Sequence, residues 1–187
     1  MAIFYHGSSR LFDHFELTGA GDGTGLKFGY GVYLTEVEAS AVHYSQPRNQ
    51  ELTDEHYLYT VETPDLVEGE YLVSALPVPA SIVSAVEAKL GMKASEAVKA
   101  KGKEFRKWIG TTLTGAKKAG FEEEKKAAEL LESLGVHYNV WPQAQTCPDG
   151  PKNVAVFDPS RVRIVKVEKI EIELKCKKWV LKSRKEI

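Results

Sequence analysis

Gly29-Tyr30-Gly31-Val32-Tyr33-Leu34-Thr35 is the stretch whose reading separates two fold classes. Glycines at this spacing can open a phosphate-binding helix, but the residues that follow, Val32-Tyr33-Leu34-Thr35, are β-branched and aromatic and read as a strand. With no helix beginning there to aim its amides at a phosphate, a dinucleotide-binding βαβ unit does not fit. On the N-terminal side, Gly19, Gly21, Gly23, Gly25, Gly29 and Gly31 mark a surface loop whose backbone can approach a partner closely. Before that loop, Ile3-Phe4-Tyr5 is a short strand expected to end in a turn at His6-Gly7-Ser8-Ser9, with Phe12 and Phe15 flanking Asp13-His14.

On the C-terminal side, Glu38 to Tyr44 has helical character and Tyr57-Leu58-Tyr59-Thr60-Val61 is a third strand. The chain from Pro64 to Pro79 reads as irregular. Helices are expected at Ser81–Leu90, capped by Gly91, at Lys103–Ile109, and at Glu122–Leu134, ended by Gly135. Strands return at Val136–Trp141, at Val154–Phe157 and through the β-rich stretch from Val162 to Leu174. Strands at both ends with helices between them give an α+β fold with an antiparallel or mixed sheet.

At 187 residues, with 43% hydrophobic and 27% charged content, the chain fits one domain with an ordinary unstapled core. The expected division is a domain over 1–174 and a basic C-terminal tail over 175–187. Lys+Arg 25 against Asp+Glu 26 leaves a net charge of −1, so no global field draws the protein to nucleic acid or membrane. Cys147 and Cys176 stand far apart without metal-ligand spacing, which argues against a zinc site and a disulfide scaffold and for a reduced cytoplasmic setting. No run of about 18 apolar residues suggests a membrane span, and Met1 to His6 lacks the pattern of a secretory signal. His14, His43, His56 and His137 share no metal spacing, so no metal is expected. The segment from Lys175 to Lys185 carries Lys175, Lys177, Lys178, Lys182, Arg184 and Lys185 around Trp179. It reads as a solvated face or as a patch for a nucleic-acid or acidic protein acceptor.

Tyr5-His6-Gly7-Ser8, Phe28–Thr35 followed by Tyr44, and Asn153-Val154-Ala155-Val156-Phe157-Asp158-Pro159 are each weak signals alone. In this order they resemble the NAD⁺-dependent ADP-ribosyltransferases of the diphtheria-toxin and poly(ADP-ribose) polymerase type, and most nearly the small transferase domains of phage polyvalent proteins. The resemblance runs from about residue 3 to residue 170 and includes Ser133-Leu134-Gly135-Val136, while Pro64 to Gly120 contributes little to it. It implies an ADP-ribosyltransferase-like split antiparallel or mixed β-sheet core with peripheral helices. His6 and Tyr33 match the first two positions of a His-Tyr-Glu arrangement, and Asn153 falls at the third. The implied activity moves ADP-ribose from NAD⁺, as co-substrate, to a macromolecular acceptor. Whether the acceptor is a protein or an RNA or DNA stays open. A phage or toxin-type effector would act in the cytosol and would have an antitoxin or immunity protein as a partner.

The chemistry suits these residues. Nicotinamide is a flat cationic ring, which two aromatic faces such as Tyr33 and Tyr44 can hold by stacking and cation–π attraction. Its carboxamide needs one donor and one acceptor, which the N–H and C=O of Gly7 can supply, with Ser8 adding a hydrogen bond. His6 is expected to donate to a ribose hydroxyl. Cleaving the glycosidic bond creates a cationic ribose centre, beside which enzymes commonly set a carboxylate. Asn153 is an amide and cannot serve as a general base near neutral pH. Three readings stay open: Asn153 supports transfer of one ADP-ribose, a carboxylate such as Glu36 or Asp149 reaches in, or NAD⁺ binds without turnover. Gln143, Gln145 and Thr146, just before the third motif, are candidates for acceptor contact.

Overall fold

A computed structural model describes residues 1–17, 27–46, 55–144, 146–147 and 149–187. Gly19, Gly21, Gly23 and Gly25 of the expected glycine loop, and Gln145, lie outside the described residues. In chain order the elements are β1 (Ala2–Ser8), β2 (Val32–Thr35), α1 (Glu38–Tyr44), β3 (His56–Thr63), β4 (Tyr71–Val73), α2 (Ala80–Leu90), α3 (Glu96–Lys99), α4 (Gly102–Thr114), α5 (Phe121–Ser133), β5 (Tyr138–Pro142), β6 (Lys152–Val156), β7 (Arg163–Lys175) and β8 (Lys178–Glu186). The fold is therefore α+β, with one mixed sheet of eight strands in the order β4-β5-β6-β2-β1-β3-β7-β8. Among the described strands only the β4–β5 pair is parallel.

The sheet is close to being two. β1 pairs with β3 along its whole length, from Ala2↔Thr63 to Ser8↔Tyr57, but meets β2 at the single pair Tyr5↔Thr35. Beyond that pair, β4-β5-β6-β2 and β1-β3-β7-β8 part company as two four-stranded halves. One face of both halves, called inner here, buries Phe4, Val32, Leu34, Tyr59, Val61, Tyr138, Val140, Val154 and Val156 in a common core. The outer face is covered at two ends. α2, α4 and α5 bury Ile82, Val86, Phe105, Ile109, Ala127 and Leu131 with Leu72 of β4, and α1 buries Ala41 and Val42 with Leu58 and Ile170. β2 and β6 lie between those two coverings.

Three expectations change. His6-Gly7-Ser8 is not a turn but the end of β1, because β3 supplies a hydrogen-bonding partner strand that far along. The irregular stretch after Pro64 contains β4, whose three residues are too few for a period-two pattern and which exists through pairing with β5. Residues 178–186, expected as part of a basic tail, form β8 on the sheet edge, joined to β7 by a tight turn with Cys176 at φ 49 and Lys177 at φ 64. Two of its cations face acids of neighbouring elements, Lys182 3.4 Å from Glu171 on β7 and Arg184 2.6 Å from Glu38 on α1, while Lys175 at the end of β7 lies 2.6 Å from Glu173 of its own strand. Charged edges of this kind resist edge-to-edge association. No described helix is long and apolar enough to cross a membrane.

Glu87 on α2 is buried, and its carboxylate accepts from Lys93 Nζ at 2.7 Å and from the Ala94 N–H at 3.0 Å, with Lys99 Nζ at 3.4 Å. The Lys93 hydrogen bond, helped by Ala94 and Lys99 and opposed by burial, holds the Glu87 carboxyl at about 2, below its ordinary 4.5. A depressed carboxyl stabilises the fold above its unfolded pKa, and that contribution is lost as pH falls through the folded value. Glu87→Gln should thus lower the melting temperature at neutral pH, and the gap to wild type should close between pH 4.5 and about 2. Thermal melts across that range check it, and a gap independent of pH would refute the ion-pair account.

Candidate functional site

The split between β1 and β2 leaves specific backbone groups facing each other. The Glu36 N–H donates to Lys152 O at 3.0 Å, which makes Thr35/Asn153 a pair whose own N–H and C=O groups point away from one another. Thr35 therefore directs its backbone toward β1, where Tyr5 meets it, and Tyr33 and Gly7, each two residues on, point the same way. Had the strands stayed together, Gly7 and Tyr33 would be the next hydrogen-bonded pair. They are not paired. His6 fills the gap, with Nδ1 2.9 Å from Tyr33 O. The Gly7 N–H and C=O are left facing the split, side by side as one donor and one acceptor.

That contact also settles the His6 tautomer. A carbonyl only accepts, so Nδ1 carries the proton and, in the neutral ring, Nε2 is an acceptor. Burial keeps the His6 pKa below 6.5, against the Tyr33 carbonyl bond, so the neutral ring prevails at neutral pH. With Nδ1–H spent on Tyr33 O, the neutral His6 ring offers Nε2 as an acceptor, where the sequence reading had His6 donating. The ring stands edge-on among Phe12, Phe15 and Tyr59, with centroids 6.0, 5.1 and 6.2 Å away. Tyr59 OH accepts from Phe12 N at 2.8 Å, tying that aromatic segment to β3.

Side chains alternate across a strand. His6 and Ser8 leave β1 on the inner side, whereas Gly7, Tyr33, Thr35, Asn153 and Trp141 share the outer face by register. Ser8 Oγ is occupied by the Arg10 N–H at 3.0 Å. Helix α1 forms with the bounds expected for it and crosses the outer face directly over Gly7. A Cβ at residue 7 would stand 1.8 Å from Ala41 O. The space above Gly7 thus belongs to α1, and its backbone opens toward the strand edge. Tyr44 ends α1 beside that edge, 54% exposed, with its ring edge-to-face against His43 at a centroid distance of 5.3 Å.

Tyr33 is held at both ends. Its OH donates to Gly29 O at 2.6 Å, and its ring meets Trp141 edge-to-face with centroids 5.7 Å apart. Trp141 in turn stacks on Phe28 at 4.1 Å, and Phe28 O accepts from the buried Asn139 Nδ2 at 2.6 Å. Neither Trp141 nor Phe28 stood out in the sequence as a site residue. Trp141 had only its place two residues from Asn139 in a short strand, and the pairing that sets it beside Asn153 is long-range.

Asn153 lies opposite Thr35 on one side and Trp141 on the other, and its carboxamide makes no hydrogen bond among the described residues. One of the two carboxylates considered is close by: Glu36 Oε2 accepts from the Lys152 N–H at 2.6 Å, adjacent to Asn153. Asp149 sits exposed in the turn between β5 and β6. Gln143 Nε2 donates to Ser40 Oγ of α1 at 2.6 Å and so closes one rim of the face, while Thr146 stays exposed beyond it. Among the described residues, no three His, Cys, Asp or Glu side chains converge on a point that could hold a metal. No protein-family model, curated protein or solved structure matches the chain.

The Gly7–Ala41 approach has a direct consequence. Gly7→Ala must lift α1 or bend β1, and overpacking of this kind typically costs about 1–3 kcal/mol. Denaturant unfolding should show a loss of that order. Unchanged stability would mean that α1 is not seated on β1.

Proposed function

We propose that this protein binds NAD⁺ at the β1–β2 split and transfers a single ADP-ribose from it to a macromolecular acceptor, releasing nicotinamide. The observation that carries the reading is the Gly7 N–H and C=O facing the split, one donor and one acceptor in the spacing a primary carboxamide requires. On this reading the two-halved sheet is an ADP-ribosyltransferase-like core. The nicotinamide amide pairs with Gly7, and its ring lies against Tyr33, with Tyr44 at the end of α1 as the second aromatic surface. A ribose hydroxyl donates to His6 Nε2.

In the reaction the bond between ribose C1′ and the pyridinium nitrogen breaks, and its electron pair leaves with nicotinamide, which becomes neutral. The cationic C1′ is met by the carbonyl dipole of Asn153, with the Glu36 carboxylate anchored beside it. The acceptor nucleophile then bonds to C1′ and loses its proton. An amide in place of a carboxylate weakens this electrostatic help, which suits one transfer rather than chain growth. The same amide favours a second reading, NAD⁺ binding without turnover. Transfer to water, a glycohydrolase, would give free ADP-ribose instead. A toxin-type effector of this class would work in the cytosol and be held in check by an antitoxin or immunity protein.

Incubation of the protein with labelled NAD⁺ and a lysate, split between protease and nuclease, tests the activity and the acceptor class together. The expected result is nicotinamide release with label on one macromolecular fraction. Tyr33→Ala should abolish it, and Asn153→Glu should raise the release rate about tenfold or more by restoring a carboxylate beside the cation. Saturable NAD⁺ binding without release would select the second reading. Absence of both binding and release would end the proposal.

A further inference from the structure

A cavity of about 270 Å³ opens between α4, the start of α5 and the turn before β2, lined by Lys27, Lys103, Lys107, Ala119, Gly120 and Glu124. Its charge balance is lopsided. Glu124, the one acid in the lining, is already taken by the buried Arg106, with Nε 2.5 Å from Oε2 and Nη2 3.4 Å from Oε1. Lys103 and Lys107, one helical turn apart on α4, make no ion pair among the described residues, and neither does Lys27. Three lysines therefore line one concavity, and among the described residues its lining holds no carboxylate other than the one taken by Arg106. On a chain of net charge −1 this is a local feature and not part of a general basic surface.

Lys27 joins the cavity to the aromatic face of the candidate site. Lys27 Nζ lies 5.2 Å from the centre of the Phe28 ring, Phe28 stacks on Trp141, and Trp141 abuts Tyr33. A ligand that lays a phosphate in the cavity and aromatic rings along Phe28 and Trp141 matches both parts, and that chemistry is a nucleic-acid strand. An acidic peptide would satisfy the lysines but leave the aromatic surface unused. We propose that single-stranded nucleic acid docks here, with backbone phosphate against Lys27, Lys103 and Lys107 and bases over Phe28 and Trp141. On the transferase reading this strand is the acceptor, led from the cavity to Tyr33 and Asn153. The other positively charged region lies at the sheet edge, where Lys182 and Arg184 of β8 face Glu171 and Glu38 while Lys178 and Lys185 make no ion pair among the described residues, and it is separated from Phe28 and Trp141 by the width of the sheet.

The test uses the full chain without NAD⁺ and follows fluorescence anisotropy of labelled oligo-dT and oligo-U of about 12 nucleotides, a length within the usual single-strand site range. Wild type should bind, and log affinity should fall linearly with log salt. Lys103→Glu/Lys107→Glu should weaken binding more than tenfold, and Lys103→Ala/Lys107→Ala should flatten the salt slope by about 1.4, at roughly 0.7 per phosphate contact. Lys178→Glu/Lys185→Glu on β8 should leave the affinity within twofold. Circular dichroism confirms that each variant is folded, and the alanine pair keeps the test open if the charge reversal is not. No binding by wild type, an equal loss from the β8 pair, or full competition by a poly-glutamate peptide would overturn the proposal. Nicotinamide release by wild type, assayed without oligonucleotide, reports on the transferase reading separately. Strand binding without release leaves the docking site standing while that reading fails.

Discussion

The carbonyl of Ala41 occupies the space that a side chain on residue 7 would need, and the arrangement of the site follows from that contact. A helix can lie this close to a strand only where the strand has no Cβ. Because Gly7 allows it, α1 settles over the end of β1, and Tyr44 is delivered to the strand edge. β1 keeps its pairing with β3 to Ser8 while losing β2 after Tyr5, so the sheet opens where α1 crosses it. An open seam in a sheet normally strands polar backbone groups. Here His6 answers one of them, Tyr33 O, with its own ring nitrogen. The imidazole is thereby fixed as a neutral acceptor, and the unpaired groups of Gly7 become the polar lining of a recess.

The second support comes from the other end of β2. Gly29, at φ 98, brings its backbone against the Arg106 guanidinium, whose Nε and Cζ a Cβ there would meet at 2.6 and 2.9 Å. Arg106 is fully buried and paired with Glu124, and such a pair is costly to break because either partner alone would be an uncompensated charge. The ion pair between α4 and α5 thus sets the height of the Phe28-Gly29 backbone. Asn139 grips Phe28 O from β5, and Gly29 O receives the Tyr33 hydroxyl. Tyr33, Trp141 and Phe28 are therefore one surface, positioned by groups that are themselves buried and hydrogen-bonded. The same pairing takes Glu124 out of the electrostatic balance of the adjoining cavity, so a structural ion pair and a cationic pocket share a carboxylate.

Much of the element pattern was legible in the sequence, for local reasons. α1, α2 and α5 follow from apolar spacing and from glycines able to adopt positive φ at Gly91 and Gly135, and β2, β3 and β6 from β-branched and aromatic runs. β4 and β8 were not legible, since a three-residue strand and a charged edge strand take their identity from partners distant in sequence. In the same way, the run of cations from Lys175 to Arg184 looks like a ligand patch when read alone. In the folded sheet Lys182 faces Glu171 across the β7–β8 register, Arg184 meets Glu38 of α1 and Lys175 meets Glu173 of its own strand, so these three cations are taken up by internal ion pairs.

By itself the sequence determined the α+β class and singled out His6, Gly7, Tyr33, Tyr44 and Asn153 as residues worth placing together. Composition, glycine placement and side-chain periodicity act within a few residues, and these are the properties on which those choices rest. The tertiary structure decided the rest. Register put Asn153 between Thr35 and Trp141, the split left the Gly7 backbone facing an open strand edge, and the Tyr33 carbonyl chose which nitrogen of His6 carries the proton. Each of these depends on hydrogen-bond partners that lie tens of residues away along the chain, and a strand's pairing cannot be known before its neighbours in the sheet are.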